Sequence, residues 1–266
     1  MKRALWINDI HLDFLEDEDV DNFLSLVDGE KPDVVLLAGD ISLANHIIDH
    51  LRRIERRIEA PVCFVLGNHD FYHGSIAGVR REVAQLDQNS EKLHWLNQTG
   101  VYELSETTAI VGHDGWGDAR VGNFDTSLVE LNDFFLIDEL TGRDRAGLVQ
   151  VLRELGDEAA DHFRKVLPRA LETHRDVVVV THVPPFREAT WYDGRVSNDD
   201  WAPFFCCQAG GDAIREVASA HPDGRVTVLC GHTHGEGDIK ILPNLRVLTG
   251  GARYRAPQIQ AVLELD

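Results

Sequence analysis

The chain has 266 residues, of which 43% are hydrophobic and 27% are charged, a balance typical of globular proteins and unlike that of disordered ones. With 26 basic and 45 acidic residues the formal net charge is −19, and a surface this acidic repels nucleic-acid backbones and anionic lipids. We therefore expect neither a nucleic-acid polymer nor a membrane as partner, whereas a small anionic substrate remains compatible because metal cations at a site would dominate the local field.

The N-terminal apolar run is interrupted at Asn8 and Asp9, too early for a secretory signal peptide. No stretch approaches the roughly 18 apolar residues that a membrane helix requires. The four cysteines form no CxxC pair, and two of them lie in apolar runs typical of buried strands. These features favour free thiols in a reducing compartment, and we predict a cytoplasmic protein.

Strands and helices alternate through the first third of the chain. Apolar runs predict strands at 4–8, 33–38 and 62–66, and helical spacing predicts helices at 20–27, 44–59 and 75–88. This alternation is typical of βαβ units with a parallel sheet.

The middle of the chain is less regular. Short strands are predicted over 92–112, an irregular acidic stretch over 113–140 that becomes helical near Leu128, and a long amphipathic helix over 143–173. The sequence shows no internal repeat or interdomain linker. We expect a single domain over 1–266, with residues 113–173 as a cap or insertion on the substrate side.

The last third is again strand-rich. We predict a strand at 177–181, a long loop over 183–212, a helix at 212–220 and strands at 226–230, 238–242, 245–249 and 258–264. Long loops without elements of their own are usually functional or mobile.

Five polar clusters occupy one kind of position, at or just after the end of a predicted buried strand. They are Asp9-Ile10-His11, Gly39-Asp40, Gly67-Asn68-His69-Asp70, Thr181-His182 and Gly231-His232-Thr233-His234. Because ligands bind outside the carboxyl ends of parallel strands, these clusters can converge on one spot.

Their composition predicts metal binding. Two Asp, one Asn and four His supply seven nitrogen and oxygen ligands, too many for one tetrahedral ion and suited to two ions that share a carboxylate. Asp40 is the natural bridge because it follows a central strand. With no Cys among the ligands, Mn²⁺, Fe and Zn²⁺ all remain candidates.

The ordered set DxH, GD, GNH(D/E), a lone His and GHxH resembles the calcineurin-like metallophosphoesterases. All five blocks are present in that order between residues 9 and 234. The resemblance implies an α/β fold of four layers, a central β-sandwich of mixed sheets flanked by α-helices, in place of a purely parallel sheet.

The resemblance also implies a role for each position. The first metal would be held by Asp9, His11, Asp40 and His234, and the second by Asp40, Asn68, His182 and His232. His69 would be the catalytic histidine beside the leaving-group oxygen, Asp70 would orient its ring, and Asn68 would also contact the phosphoryl group.

The implied reaction is hydrolysis of phosphomonoesters or phosphodiesters by a hydroxide held between the two metals. Narrower alternatives are a cyclic nucleotide phosphodiesterase, a protein phosphatase or a non-catalytic metal-binding scaffold. A vestigial site should have lost ligands or His69, and none is missing. The small phosphate-ester substrate and the oligomeric state are left open.

For several other residues the sequence leaves two interpretations open. His113 follows a predicted strand and either contributes to substrate binding or belongs to a structured surface loop. The loop aromatics either form a wall over the metals or pack among themselves or against a second copy; these are Trp191, Tyr192, Trp201, Phe204 and Phe205. Arg187, Arg195 and Arg253 are either phosphate clamps or solvated side chains.

Overall fold

The computed structural model describes all residues from 1 to 266. The thirteen strands are β1 (Lys2–Ile7), β2 (Val34–Ala38), β3 (Val62–Val65), β4 (Leu93–Trp95), β5 (Tyr102–Glu103), β6 (Thr108–His113), β7 (Asp176–Thr181), β8 (Trp191–Tyr192), β9 (Arg195–Val196), β10 (Arg225–Cys230), β11 (Gly237–Leu242), β12 (Leu245–Thr249) and β13 (Ala261–Leu265). The eight helices are α1 (Asp17–Gly29), α2 (Ile47–Arg57), α3 (Ile76–Asp87), α4 (Leu96–Thr99), α5 (Asp133–Leu136), α6 (Arg145–Thr173), α7 (Ala202–Phe205) and α8 (Gln208–Ala220).

Eleven of the strands form two mixed sheets. The first has the order β13-β1-β2-β3-β4, and the second has the order β11-β12-β10-β7-β6-β5. Pairing is parallel within β1–β4 and within β12-β10-β7-β6, whereas β13, β11 and β5 join their edges antiparallel. The expectation of a purely parallel sheet is wrong at these edges. Two of the three edge strands, β5 and β11, directly precede the strand they pair with, and so short a connection permits only antiparallel pairing.

The two sheets stack face to face with helices on both outer sides. In β2, Val34 and Leu36 face the other sheet, while Val35 and Leu37 face the helical layer formed by α1, α2 and α3. The second sheet follows the same alternation and is covered by α6 and α8. Strands buried on both faces account for the nearly continuous apolar runs in the sequence. The four-layer fold expected from the resemblance is confirmed.

Two expectations for the connecting segments are wrong. Leu128 is 95% exposed and lies outside any helix, and the nearest helical turn is α5. Most helices in proteins are stabilised by packing of an apolar face, and the exposed side chain of Leu128 supplies no such packing. The loop over 183–212 is not structureless, because it contains the hairpin β8–β9, the short helix α7 and the first turn of α8.

The predicted thiols are confirmed, since all four cysteines are free and buried. None of the helices combines the length and the apolar character needed to cross a membrane.

Candidate functional site

The polar clusters meet at the carboxyl ends of five parallel strands. Asp9, Asp40, Asn68, His182 and His232 follow within three residues of the ends of β1, β2, β3, β7 and β10, respectively. Because both sheets direct these ends to the same edge of the sandwich, segments that are up to 223 residues apart come into contact there.

One group of ligand atoms belongs to Asp9, His11, Asp40 and His234, and all four atoms lie within 4.8 Å of one another. His11 Nε2 is 3.3 Å from His234 Nε2 and 3.8 Å from Asp40 Oδ2. His234 Nε2 is 3.4 Å from Asp9 Oδ1. Two imidazole nitrogens flanked by two carboxylates form a donor set suited to a divalent cation. We name these four residues the first ligand group.

A second ligand group surrounds Asn68 Oδ1 and comprises Asp40, Asn68, His182 and His232. The amide oxygen lies 3.1 Å from His182 Nε2 and 3.0 Å from His232 Nδ1. His182 Nε2 also lies 3.3 Å from Asp40 Oδ1. The two oxygens of Asp40 therefore face different groups, Oδ2 toward His11 and Oδ1 toward His182.

Hydrogen bonds on the far side of two rings fix which nitrogen faces the second group. His182 Nδ1 donates to the carbonyl oxygen of Ala38 at 2.9 Å, which leaves Nε2 for the site. His232 Nε2 donates to the carbonyl oxygen of Phe204 at 3.1 Å, which leaves Nδ1. Such backbone acceptors orient metal-binding histidines and set their tautomers. When both rings are neutral, acceptor atoms face one another across the centre, an arrangement that a cation would stabilise.

Burial and charge shift the acidities of these residues. Burial lowers the pKa of His11 and of His232 to about 4, which keeps both rings in the neutral, metal-binding form. Burial also lowers the pKa of His182, but the neighbouring Asp40 carboxylate outweighs this effect and raises the pKa of His182 to about 10. Burial opposes ionisation of Asp40 as well, yet the neighbouring histidines hold its pKa well below the ordinary value. A cation would therefore compete with the His182 proton for Asp40.

Backbone strain is concentrated at the same positions. Five of the seven ligand-group residues have positive φ angles, namely Asp9 (48°), His11 (41°), Asp40 (50°), His232 (70°) and His234 (58°). This left-handed conformation costs roughly 1–2 kcal/mol for a residue with a Cβ. Strain of this kind persists where the surroundings dictate the geometry, and it is typical of functional sites.

Glycines at two motif positions permit close approach of the carboxylates. A Cβ on Gly67 would lie 2.5 Å from the backbone nitrogen of Asp40 and would overlap its side chain. A Cβ on Gly231 would overlap the carboxylate of Asp9. Only glycine fits at either position, which explains these residues of the GNHD and GHTH segments.

The position of Asp70 corrects an expectation. Its carboxylate is buried and accepts backbone hydrogen bonds from Ile41 (2.8 Å), Ser42 (2.7 Å) and Gly67 (2.8 Å). It makes no hydrogen bond to the ring of His69, so the prediction that Asp70 orients this ring is wrong. The three backbone donors draw the carboxylate into the interior, where it joins the segment after β2 to the segment after β3.

The ring of His69 is held by packing. Its centroid lies 4.3 Å from that of Tyr72 and 4.6 Å from that of His11. Its backbone nitrogen donates to Asp40 Oδ1 at 3.0 Å. His69 is partly exposed and lines the cleft beside both ligand groups, within the region where a substrate would lie.

Sequence reasoning missed Asp133 and the role of Tyr72. Asn68 Nδ2 donates to Asp133 Oδ1 at 2.8 Å and to the Tyr72 hydroxyl at 3.1 Å, and that hydroxyl donates to Asp133 Oδ1 at 2.7 Å. These bonds turn the amide oxygen of Asn68 toward the second ligand group. Asp133 lies in an irregular acidic stretch with no recognisable spacing, so the sequence carries no signal for it.

His113 lies away from the cleft, so its predicted substrate contact is wrong. The residue is 2% exposed, its Nδ1 accepts from the Gly115 backbone at 3.1 Å, and its Nε2 is 3.9 Å from Glu158 of α6. His113 ends β6 on the face that α6 covers, which turns its ring away from the ligand groups. The nearby His113 imidazole, together with the Arg80 guanidinium that donates to Glu158 at 2.9 Å, lowers the pKa of that glutamate to about 2.

A cleft of about 440 Å³ opens over the ligand groups. It is lined by Asp40, Asn68, His69, Tyr72, Glu130, Leu131, Asn132, Asp133, Tyr192, Phe205, His232, Thr233, His234 and Tyr254. Of the five loop aromatics, Tyr192 and Phe205 line the cleft and also pack on Trp201, so both predicted alternatives hold in part. Tyr254, which the sequence reasoning did not single out, lies over His11 with their centroids 4.7 Å apart.

No lysine or arginine lines this cleft. Arg187 forms an ion pair with Asp199, and Arg195 and Arg253 are exposed outside the lining. Of the two alternatives for these arginines, the phosphate clamp is therefore not supported, and the surface alternative fits all three.

Comparison with known proteins places the site in context. The sequence profile of the calcineurin-like phosphoesterases matches residues 2–236. Among solved structures, the chain is similar to the phosphopantetheinyl hydrolase of Mycobacterium tuberculosis (TM-score 0.66, 15% identity, 93% of this chain and 89% of that one). It is also similar to a dimetal phosphatase of Danio rerio (TM-score 0.59, 13% identity, 94% and 87% of the two chains). A search of curated proteins found no match.

Proposed function

Because the chain belongs to the calcineurin-like phosphoesterase family, we propose that it hydrolyses phosphomonoesters or phosphodiesters at a two-metal centre built on Asp40. The observation that carries this proposal is the division of the Asp40 carboxylate, with one oxygen toward His11 and the other toward His182. The Danio rerio structure described as a dimetal phosphatase supports the proposal at the level of the fold.

The two ligand groups fit a pair of cations. Asp9, His11, Asp40 and His234 would hold the first, and Asp40, Asn68, His182 and His232 would hold the second. Imidazole, carboxylate and amide donors suit Mn²⁺, Fe or Zn²⁺, and none of the donors is a thiolate. When bound, two such cations activate a water molecule and neutralise the phosphoryl oxygens.

The chain's own residues would position the substrate and supply a proton. Hydrolysis forms a bond from a water oxygen to phosphorus and breaks the bond from phosphorus to the leaving oxygen, which then needs a proton. His69 borders both ligand groups and the cleft, so it is the residue we assign as proton donor. Asn68 would also contact the phosphoryl group, with its amide fixed by Asp133 and Tyr72. Asp70 would act by holding the two ligand-bearing segments together.

We further infer a single domain over 1–266 with residues 113–173 as the insertion. Within that insertion, residues 113–144 contribute to the cleft, whereas α6 packs on the second sheet as part of the outer helical layer. Asp133 and the lining residues Glu130 to Asn132 come from that segment. A cleft of this size without basic residues favours a small phosphate ester over a nucleic-acid polymer or a phosphoprotein.

The test is a hydrolysis assay after reconstitution with Mn²⁺, Fe or Zn²⁺. The substrates are p-nitrophenyl phosphate, bis-p-nitrophenyl phosphate and cyclic nucleotides, which separate monoesterase, diesterase and cyclic nucleotide activity. We expect metal-dependent turnover of at least one ester. If the protein bound metal but turned over none of them with any ion, the non-catalytic scaffold would become the better account.

A further inference from the structure

We propose that the cleft selects phosphate esters whose leaving group carries a flat, uncharged aromatic ring, held against Tyr192, which is 40% exposed, beside the buried ring of Phe205. This inference rests on the proposed function and names the class of substrate for that same site. It is carried by the aromatic walls of the cleft and by the charges along its lining.

The first wall is a packed aromatic cluster rather than a single ring. Trp201 stacks on Phe205 with centroids 5.1 Å apart and an interplanar angle of 28°. Tyr192 packs on both, with centroids 5.2 Å from Trp201 and 5.5 Å from Phe205. Because Trp201 supports the other two from behind, the wall is held in place before any ligand arrives, which lowers the entropic cost of stacking.

This wall is adjacent to the second ligand group. Phe205 meets the ring of His232 edge to face, with centroids 5.4 Å apart and an interplanar angle of 87°. A phosphoryl group at the ligand groups would therefore place the first atoms of its leaving group beside Phe205 and Tyr192.

A further aromatic residue, Tyr254, lies over the first ligand group. Its centroid is 5.1 Å from that of His234 and 4.9 Å from that of Phe14. Tyr254 is 48% exposed and Tyr192 is 40% exposed, so both lining residues keep ring surface open to a ligand. Planar aromatic groups gain free energy by offset or edge contacts with such rings.

The charge of the lining restricts the substrate further. Glu130 and Asp133 are its acidic residues apart from Asp40, and no lysine or arginine offsets them. The metals could neutralise one phosphoryl group, but a second anionic group on the leaving group would face Glu130 without a cationic partner. A ring without negative charge is therefore the group that the cleft accepts best.

The chemistry of the ester bond does not involve the ring. Water oxygen bonds to phosphorus, the leaving oxygen departs with its bonding electrons and takes one proton, and the ring leaves unchanged as part of the alcohol. The ring contributes binding energy only, so its effect is separable from the effect of leaving-group acidity.

The experiment compares benzyl phosphate with cyclohexylmethyl phosphate in the metal-loaded full-length protein. Both release primary alcohols of similar size, and only the benzyl ring is flat. We expect kcat/KM to favour benzyl phosphate by about three- to tenfold, the range for one aromatic contact. Tyr192→Ala should abolish this preference, and Tyr192→Phe, which keeps the ring, should retain it. Phe135→Ala removes an exposed ring outside the cleft and should leave both rates unchanged.

A second arm tests the charge. We expect 4-carboxybenzyl phosphate to have a lower kcat/KM than benzyl phosphate, and Glu130→Gln to reduce that difference. Equal kcat/KM for benzyl and cyclohexylmethyl phosphate, or a preference that survives Tyr192→Ala, would overturn the inference while leaving the proposed function intact.

Absence of turnover for both esters would instead count against the proposed function. Calorimetric binding of benzylphosphonate and cyclohexylmethylphosphonate then decides on the aromatic subsite alone, because neither compound needs to be hydrolysed. Tighter binding of the benzyl compound, lost in Tyr192→Ala, supports the subsite, and equal binding overturns it.

Discussion

Asn68 is joined to Asp133 by a hydrogen bond of 2.8 Å from its amide nitrogen, and its amide oxygen consequently points at His182 and His232. The two residues are separated by 65 positions and lie on different segments, one after β3 and one at the start of α5. Asp133 offers no ligand atom to the second group. By holding the amide nitrogen of Asn68, it determines that Asn68 presents its amide oxygen to that group.

The first prediction concerns this bond. Asp133→Ala frees the amide of Asn68 to rotate, and we expect metal affinity to fall about 10- to 100-fold, the usual effect of removing a group that orients a ligand. The measurement is metal content per chain across a titration with Mn²⁺ or Zn²⁺.

Asp125→Ala is the matched control for that variant, since Asp125 lies in the same segment and is exposed. It should bind metal like the wild type. An Asp133→Ala protein with unchanged affinity would show that Asn68 is oriented by other contacts.

The second prediction separates proton donation from metal binding. His69→Ala should keep the metal content of the wild type and lower kcat by about 10²- to 10⁴-fold for alkyl phosphates, whose leaving oxygens need a proton. The loss should be much smaller for p-nitrophenyl phosphate, which leaves as a weakly basic anion. Equal losses on both substrates would argue that His69 does not protonate the leaving group.

The third prediction follows from the contact between Gly67 and Asp40. In Gly67→Ala the new Cβ would meet the Asp40 backbone and carboxylate, and one of them must shift. We expect loss of metal binding with retention of the folded secondary structure, measured by metal analysis and circular dichroism. Gly29→Ala serves as control, because a Cβ there meets nothing within 4 Å. Full metal content in Gly67→Ala would contradict the close packing of Gly67 against Asp40.

The fourth prediction concerns pH. Burial, reinforced by the charges of His46 and Arg53, lowers the pKa of His50 from 6.5 to about 4, and the ring is hydrogen-bonded to Ser42 Oγ at 2.6 Å. The unfolded chain therefore binds the proton first as the pH falls, so stability present above pH 6.5 is lost progressively toward pH 4.

His50→Gln should show a shallower loss of unfolding free energy between pH 6.5 and 4 than the wild type. The free energies come from urea unfolding of the metal-free protein at several pH values. His46→Gln removes only one of the charges that reinforce burial of His50, so its curve should differ from the wild type much less than that of His50→Gln. Parallel curves for wild type and His50→Gln would show that burial of His50 does not contribute to the acid sensitivity.

The ligand groups were predictable because they depend on local sequence and topology together. Each cluster follows an apolar run, and parallel strands bring their carboxyl ends to one edge, so Asp40 and His182 could be placed together without coordinates. The four layers, by contrast, came from the family resemblance, because an alternating pattern of strands and helices does not distinguish one sheet from two.

The surroundings of the site could not be predicted in the same way. Asp133, Tyr72 and Tyr254 act through contacts between distant segments and carry no fixed spacing. Asp70 and His113 were assigned to the site because they adjoin motif residues or a strand end. In the fold their side chains turn away from the ligand groups, that of Asp70 to buried backbone donors and that of His113 toward Glu158 of α6. Proximity in sequence fixes where a backbone lies but not which way its side chain points.

The most direct test of the two-metal centre is the number of ions bound per chain in the wild type and in Asp40→Ala, measured by mass spectrometric metal analysis alongside activity. We predict two ions in the wild type and, in the variant, fewer than one ion with no turnover, because one carboxylate serves both ligand groups. A wild type that saturates at one ion, or an Asp40→Ala protein that retains two ions and its activity, would contradict the shared role of Asp40.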